Sequence, residues 1–182
     1  MNNWYALQCI SGKEHQVRDA INKVFREYVT FFPQRELEIR KNGKTSIQVK
    51  ALFPGYFFLK SSSRLMYREA LELIRKINEM YSAGALLKVV GMKRNKTSIG
   101  SDEIVPIEPR EMDLFLNIAN EDEVVRFSQY KKEGERVQII GGPLSGLDGI
   151  VIKANPRKKR LKVGVNLLGE TQVIDLGAEL VV

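Results

Sequence analysis

Glu135-Arg-Val-Gln-Ile-Ile-Gly-Gly-Pro-Leu-Ser-Gly-Leu-Asp-Gly-Ile-Val-Ile-Lys153, followed by Asn155-Pro156-Arg157-Lys158-Lys159-Arg160, decides how the C-terminal part of this chain folds. Two strand-like runs, Arg136 to Ile140 and Ile150 to Lys153, flank a bend that uses Gly141, Gly142, Gly146 and Gly149. Glycine takes positive φ without steric cost, so this density marks a tight turn. Beyond it, Leu161, Val163, Val165 and Leu167 alternate with Lys162, Gly164 and Asn166, the period-two pattern of a half-buried strand. Gln172, Ile174 and Leu176 continue the alternation. Closure into a small β-barrel would remove the exposed edges of such a sheet. A module of this size holds no catalytic cluster and reads as a binding module.

Working outward, five of the six residues 157–162 are basic, in a chain with 29 Lys and Arg against 22 Asp and Glu and a net charge of +7. A cationic run at a hairpin tip in a basic chain is the electrostatic footprint of a polyanion binder. Lys131, Lys132 and Arg136 extend that surface, and Lys153 and Lys162 face it across the hairpin. No apolar run reaches the roughly 18 residues that cross a bilayer, and no basic-then-apolar secretion signal opens the chain, so no membrane role is expected. A single cysteine excludes an intramolecular disulfide. A reducing cytoplasm is therefore the expected compartment.

The N-terminal part reads as mixed α/β. Trp4 to Ile10 is an aromatic, apolar strand, and Ser11-Gly-Lys-Glu14 has the Ser-x-x-Glu spacing of a capping box. Val17, Ala20, Ile21, Val24, Phe25 and Tyr28 then follow at helical spacing. Phe31 to Arg40 and Thr45 to Ala51 flank Asn42-Gly43, a strong hairpin signal. Leu52 to Leu59 is a strand entered through a Pro-Gly corner. A second helix runs from about Leu65 to Tyr81, with Ala70, Leu71, Ile74, Ile77 and Met80 or Tyr81 inward, and Gly84 just beyond its end. Leu86 to Val90 is strand-like, and Pro109 opens a third helix with Met112, Phe115, Leu116 and Ala119 on its apolar face. The fold class is α+β, a mainly antiparallel sheet with flanking helices followed by a small β-barrel. The acidic Glu121-Asp-Glu123 places the boundary between Asn120 and Lys132, giving domains at 1–120 and 133–182 joined by a short linker at 121–132.

Trp4-Tyr5-Ala6-Leu7, Ser11-Gly12-Lys13-Glu14 and Leu52-Phe53-Pro54-Gly55-Tyr56, with the Gly-rich C-terminal module after them, resemble the NusG family of bacterial transcription elongation factors. The resemblance covers nearly the whole chain in order. It implies an N-terminal NGN domain and a C-terminal KOW domain of SH3-like barrel type. It implies that the first docks on the clamp region of RNA polymerase, near non-template DNA, and that the second recruits ribosomal protein S10, Rho or RNA. On that basis Trp4, Phe53, Pro54 and Tyr56 are the expected polymerase-facing residues, with Tyr67 and Arg68 approaching the other side of the cleft. The family pattern carries Ile-Phe-Gly where this chain has Leu167-Leu168-Gly169, so the aromatic anchor for S10 or Rho is missing at Leu168. Together with Arg157, Lys158, Lys159 and Arg160, this resembles specialised paralogues of the LoaP type, operon-specific antiterminators that recognise an RNA hairpin. A general factor coupling polymerase to S10 or Rho, or a ribosome-associated KOW protein, are the alternatives. A monomer is expected.

Enzymatic readings have little support. His15 falls beside the helix start as a surface residue, and Cys9 falls in an apolar strand as a core thiol. One His and one Cys do not make a typical zinc site. The loop from Gly141 to Gly149 lacks the Gly-Lys-Ser/Thr ending of a phosphate-binding loop. Asp102, Glu103, Glu121, Asp122 and Glu123 fall in loops or linker. No catalytic residue, metal or cofactor is expected.

Overall fold

The structure, a computed structural model, describes residues 3–81, 85–93 and 103–181. In chain order the elements are β1 (Asn3–Cys9), α1 (Glu14–Val24), β2 (Val29–Phe31), β3 (Gln34–Lys41), β4 (Lys44–Ala51), β5 (Tyr56–Ser61), α2 (Tyr67–Met80) and β6 (Leu86–Val89). There follow β7 (Met92–Lys93), β8 (Glu103–Ile104), α3 (Pro109–Ile118), β9 (Val124–Val125), β10 (Ser128–Glu133), β11 (Arg136–Gly141), β12 (Val151–Asn155), β13 (Arg160–Leu167) and β14 (Glu170–Leu180). Short 3-10 turns cover Asp148–Ile150 and Pro156–Lys158. The expected Gly84 helix stop and Asp102 lie outside the described residues. The chain forms two compact units, one from residues 1–32 and 53–109, the other from 33–52 and 110–182.

The first unit is built on a four-stranded sheet in the order β2-β5-β1-β6. Its pairings are antiparallel, and Trp4, Ala6 and Gln8 lie opposite Lys60, Phe58 and Tyr56. Tyr5, Leu7, Phe57 and Leu59 fill the other face and are fully buried. From that side the backbone N–H of Leu65, just before α2, donates to the Tyr5 hydroxyl at 2.9 Å. Burial of each large apolar side chain contributes about 1.5–3 kcal/mol relative to exposure.

The Ser11–Glu14 capping box does not form. Helix α1 begins at Glu14 with Lys13 as its cap, and no side chain caps it. Glu14 is buried, and its carboxylate accepts the backbone N–H of Gly55 at 2.7 Å. Gly55 has φ of +81°, and a Cβ there would lie 3.1 Å from the Cys9 carbonyl oxygen, so the Pro54-Gly55 corner closes directly on the end of β1. The acid that resembles a cap is used to hold this corner.

Helix faces differ from expectation at their margins. In α1, Val17, Ala20 and Ile21 are buried, but the helix ends at Val24, which points outward, and Phe25 takes the inner position. In α2 the buried set is Ala70, Leu73 and Ile77, three and four residues apart. Met80 is exposed at the last position of the helix, and Leu71 because it lies about 100° off the nearest member of that stripe. In α3, Met112, Phe115 and Ile118 are buried and Leu116 is exposed for the same reason.

The second unit contains a three-stranded sheet, β4-β3-β9, and a five-stranded sheet, β11-β10-β14-β13-β12. Asn42 and Gly43 form the tip of the β3–β4 hairpin, both at positive φ (+52° and +75°), as a two-residue hairpin turn requires. Stretch 121–132, read from the sequence as a linker, carries β9 and β10. β9 pairs with β3, and β10 pairs with both β11 and β14. Along β13, Leu161, Val163, Val165 and Leu167 are buried while Lys162 and Asn166 are exposed. The edge strands β11 and β12 approach each other, since Arg136 and Val137 line one groove with Val151 to Ala154. The sheet is therefore curled, as a small KOW barrel is. Within the glycine-rich bend only Gly142 and Gly146 adopt positive φ; Gly141 ends β11 and Gly149 lies in the 3-10 turn.

β14 crosses β3 at very short range. A Cβ on Gly177 would lie 2.5 Å from the Glu36 carbonyl oxygen and 2.8 Å from the Phe127 ring, so only glycine permits this approach. Gly177→Ala is expected to destabilise the chain by at least about 1–3 kcal/mol through forced backbone separation. A chemical-denaturation midpoint unchanged from that of the parent would refute the close packing.

Candidate nucleic-acid interface

The β12–β13 tip is a built turn. Asn155 caps the 3-10 turn by accepting the Lys158 N–H at 3.1 Å through its side-chain oxygen. Pro156 fixes the first helical φ. Lys159 closes the turn at φ +48°. This geometry turns Arg157 and Lys158 outward, and both are exposed.

The predicted cations are not equivalent. Lys159 Nζ lies 3.2 Å from Glu38 and 3.0 Å from Glu179. Hydrogen bonds to Glu179 and then Glu38 raise its pKa, so it stays charged but internally neutralised. Arg160 and Lys162 share Asp175, at 3.5 and 3.4 Å. Lys132 lies 3.9 Å from Glu135. Among the described residues, no ion pair engages Arg157, Lys158, Lys131, Arg136 or Lys153. Arg136, Lys153 and Lys132 line the groove between β11 and β12 together with Glu135 and Asp148, while Arg157 and Lys158 occupy the tip. The structure thus divides one predicted basic surface into a groove, a tip and a paired set. Sequence reasoning missed the acids Glu38, Asp175 and Glu179, because none is near its partner in the chain.

Among the expected polymerase-facing residues, Trp4 is 8% exposed, with its ring edge against Phe31 and Lys60 Nζ 5.7 Å from its centroid. Phe53 and Tyr56 are half-buried, Phe53 lying edge-on to Phe58, and Pro54 is exposed. Trp4 and Tyr56 share one face of the four-stranded sheet, but Tyr56 adjoins the Pro54-Gly55 corner while Trp4, opposite Lys60, lies at the far end of the β1–β5 pair; Tyr67 and Arg68 stand in the first turn of α2. The corner, not the tryptophan, is the accessible part of this group.

The family model described as "Transcription termination factor nusG" matches residues 2–116, more than half of the chain. The chain belongs to the NusG family. It is 24% identical to the transcription termination/antitermination protein NusG of Thermus thermophilus, over 95% of this chain and 94% of that one. It is 28% identical to NusG of Pasteurella multocida, over 95% and 90%. A solved structure reporting domain interaction in Thermotoga maritima NusG aligns with a TM-score of 0.49 at 22% identity, over 97% and 94% of the two chains. NusG proteins are transcription factors. Membership makes this chain a NusG-like termination/antitermination factor, and its two-part α+β architecture agrees with that family.

Leu168, where the NusG pattern expects an aromatic anchor, forms the β13–β14 turn with Gly169, at φ of +57° and +76°. The carboxylate of Glu111 accepts both of their N–H groups, at 3.0 and 2.9 Å. Leu168 itself is partly exposed. Its side chain lacks the area and the stacking face of an aromatic.

Among the described residues, no group of three His, Cys, Asp or Glu is placed to hold a metal ion, and no helix is long and apolar enough to cross a membrane. His15 is exposed and packs edge-on against Phe32. Asp122 pairs with Arg126, and the Glu123 carbonyl accepts the Gln34 N–H, so these acids brace the second unit. Cys9 is buried, and burial, followed by the nearby Glu14 charge, pushes its thiol up to about 12. The native thiol should therefore react with iodoacetamide at pH 8 at least about 100-fold more slowly than in the denatured chain, since the thiolate is the reactive form. Equal rates would place Cys9 at the surface.

Proposed function

We propose that this NusG-family chain is an antitermination factor that docks on the RNA polymerase clamp through its N-terminal domain, residues 1–120, and binds an RNA hairpin through its C-terminal KOW module. Read-through of terminators in particular operons, the role of LoaP-type paralogues, is the outcome. The observation that carries the RNA half is the β12–β13 tip, where Arg157 and Lys158 project from a capped turn without acidic partners. Neighbouring cations are neutralised by Glu38, Glu179 and Asp175, so the charge left for a ligand is concentrated at that tip. Phosphates of an RNA stem would displace counterions there, and arginine offers a fork for a guanine edge in an opened loop or bulge. Leu168 weakens the case for S10 or Rho as the partner of the module. The Phe53–Tyr56 corner is the docking region, with exposed Pro54 at its apex and the α2 start at Tyr67 and Arg68 toward non-template DNA.

Binding of the full chain to RNA stem-loops enriched from a random pool tests the RNA half. Arg157→Ala with Lys158→Ala should weaken the best stem-loop about tenfold and reduce the salt slope by roughly 1.5, the loss of two phosphate contacts. Retention of no stem-loop above an unstructured strand would refute it. For the docking half, Pro54→Asp with Tyr56→Ser should abolish co-purification of RNA polymerase while leaving stem-loop affinity unchanged. Undiminished polymerase recovery would move the docking surface elsewhere.

A further inference from the structure

Three of the five residues 40–44 are cations, Arg40, Lys41 and Lys44, wrapped around the Asn42-Gly43 turn and all exposed. Lys41 and Lys44 are directly opposed in the β3–β4 register, and Arg40 faces Thr45. Like charges opposed in a ladder destabilise it. No acidic partner relieves them among the described residues. This hairpin thus keeps concentrated positive charge at its tip against its own stability.

The second unit sets this tip beside the other one. Arg35 donates to the Asp175 carbonyl oxygen at 2.6 Å, Gly177 packs on the Glu36 carbonyl, and Lys159 bridges Glu38 and Glu179. Residue numbers rise together along both strands, so β3 and β14 cross in the same sense. β13 starts at Arg160 opposite Gly177, which puts the 156–159 turn beyond the C-terminal part of β14. β3 reaches its own turn in that same direction. From Glu38, held by Lys159, to Lys41 is three residues, roughly 10 Å of extended strand.

Resting on the RNA reading above, we infer that the two hairpin tips form one composite surface for the phosphate backbone of a folded RNA. Arg157 and Lys158 contact one stretch and Arg40, Lys41 and Lys44 a second. Lys159 is a clamp between the hairpins and not a phosphate contact. Its two carboxylates occupy the donors that an RNA would need, and they fix the spacing of the free cations on either side. Two cationic tips at fixed separation select a ligand whose backbone segments are themselves fixed, which a stem-loop provides and a flexible strand does not.

The test titrates the full chain with a stem-loop enriched from a random pool, a single strand of the same composition and a DNA duplex of the stem sequence. Arg40→Ala, Lys41→Ala and Lys44→Ala together should weaken stem-loop binding at least about tenfold and lower the salt slope by about 2–3, as expected for three lost phosphate contacts. Arg40→Lys with Lys41→Arg and Lys44→Arg should keep the slope, which separates charge from hairpin integrity. Glu38→Ala, which cuts the tie without removing a cation, should weaken the stem-loop but not the single strand. If it strengthens both alike, Glu38 is only a repelling charge and the positioning role falls. If the triple alanine variant binds like the parent while Arg157→Ala with Lys158→Ala binds weakly, the composite surface is refuted and the RNA reading stands. If the parent retains no stem-loop, both fall together. Equal affinity for the DNA duplex would overturn the assignment to RNA.

Discussion

The close crossing of β14 over β3 is the constraint from which the second unit takes its form. At Gly177 the two backbones come nearer than any side chain would allow. This contact sets the long polar ties around it. Arg35 reaches the Asp175 carbonyl, Arg126 reaches Glu36 at 2.6 Å, and Lys159 lies between Glu38 and Glu179. Each tie is a partly exposed pair of modest individual value. Their common location gives them their effect, because a guanidinium or ammonium already fixed by one partner loses less freedom in meeting a second. Burial lowers the pKa of Arg35 while Asp175 draws it back, so a strongly basic group remains charged at a partly enclosed site.

The same crossing redistributes the charge of the molecule. A sequence rich in lysine and arginine suggests one broad basic surface. In the folded chain the acids of β3 and β14 cancel the cations nearest the crossing and leave those at the two turn tips. What a polyanion meets is thus determined less by the number of basic residues than by which of them the packing has left without a carboxylate. A net charge of +7 expressed at a few defined points favours orientation as well as attraction.

Local pattern made much of this legible before the fold was known. The alternation along β13, the Asn42-Gly43 turn and the stripes of all three helices were readable because each depends on neighbours within a few positions. The motifs of the NusG family were readable for the same reason. Errors arose where a residue serves a distant partner. Glu14 has the spacing of a cap and instead holds Gly55. The acidic stretch after Asn120 looks like solvent-exposed linker, yet it leads into two strands whose partners lie far away in sequence. In α2 the sequence points to Leu71 where the fold buries Leu73, because hydrophobicity alone does not fix the centre of a stripe. Gly177 carried no local mark at all, since its need is set by a backbone 141 residues earlier in the chain.

That separation bears on how the protein is made. Residues 33–52 leave the ribosome well before β14, the strand of the same compact unit that crosses them. The Arg35–Asp175 tie spans 140 positions. Such distant pairings are slow to form, because the entropy of a long loop must be lost before any contact repays it. In the folded chain β4 remains an edge strand of its sheet, and Ile47 and Val49 remain open to solvent, as they are before β14 emerges. Lys44 and Lys50 on that edge strand are then gatekeepers against strand-to-strand aggregation in the nascent chain.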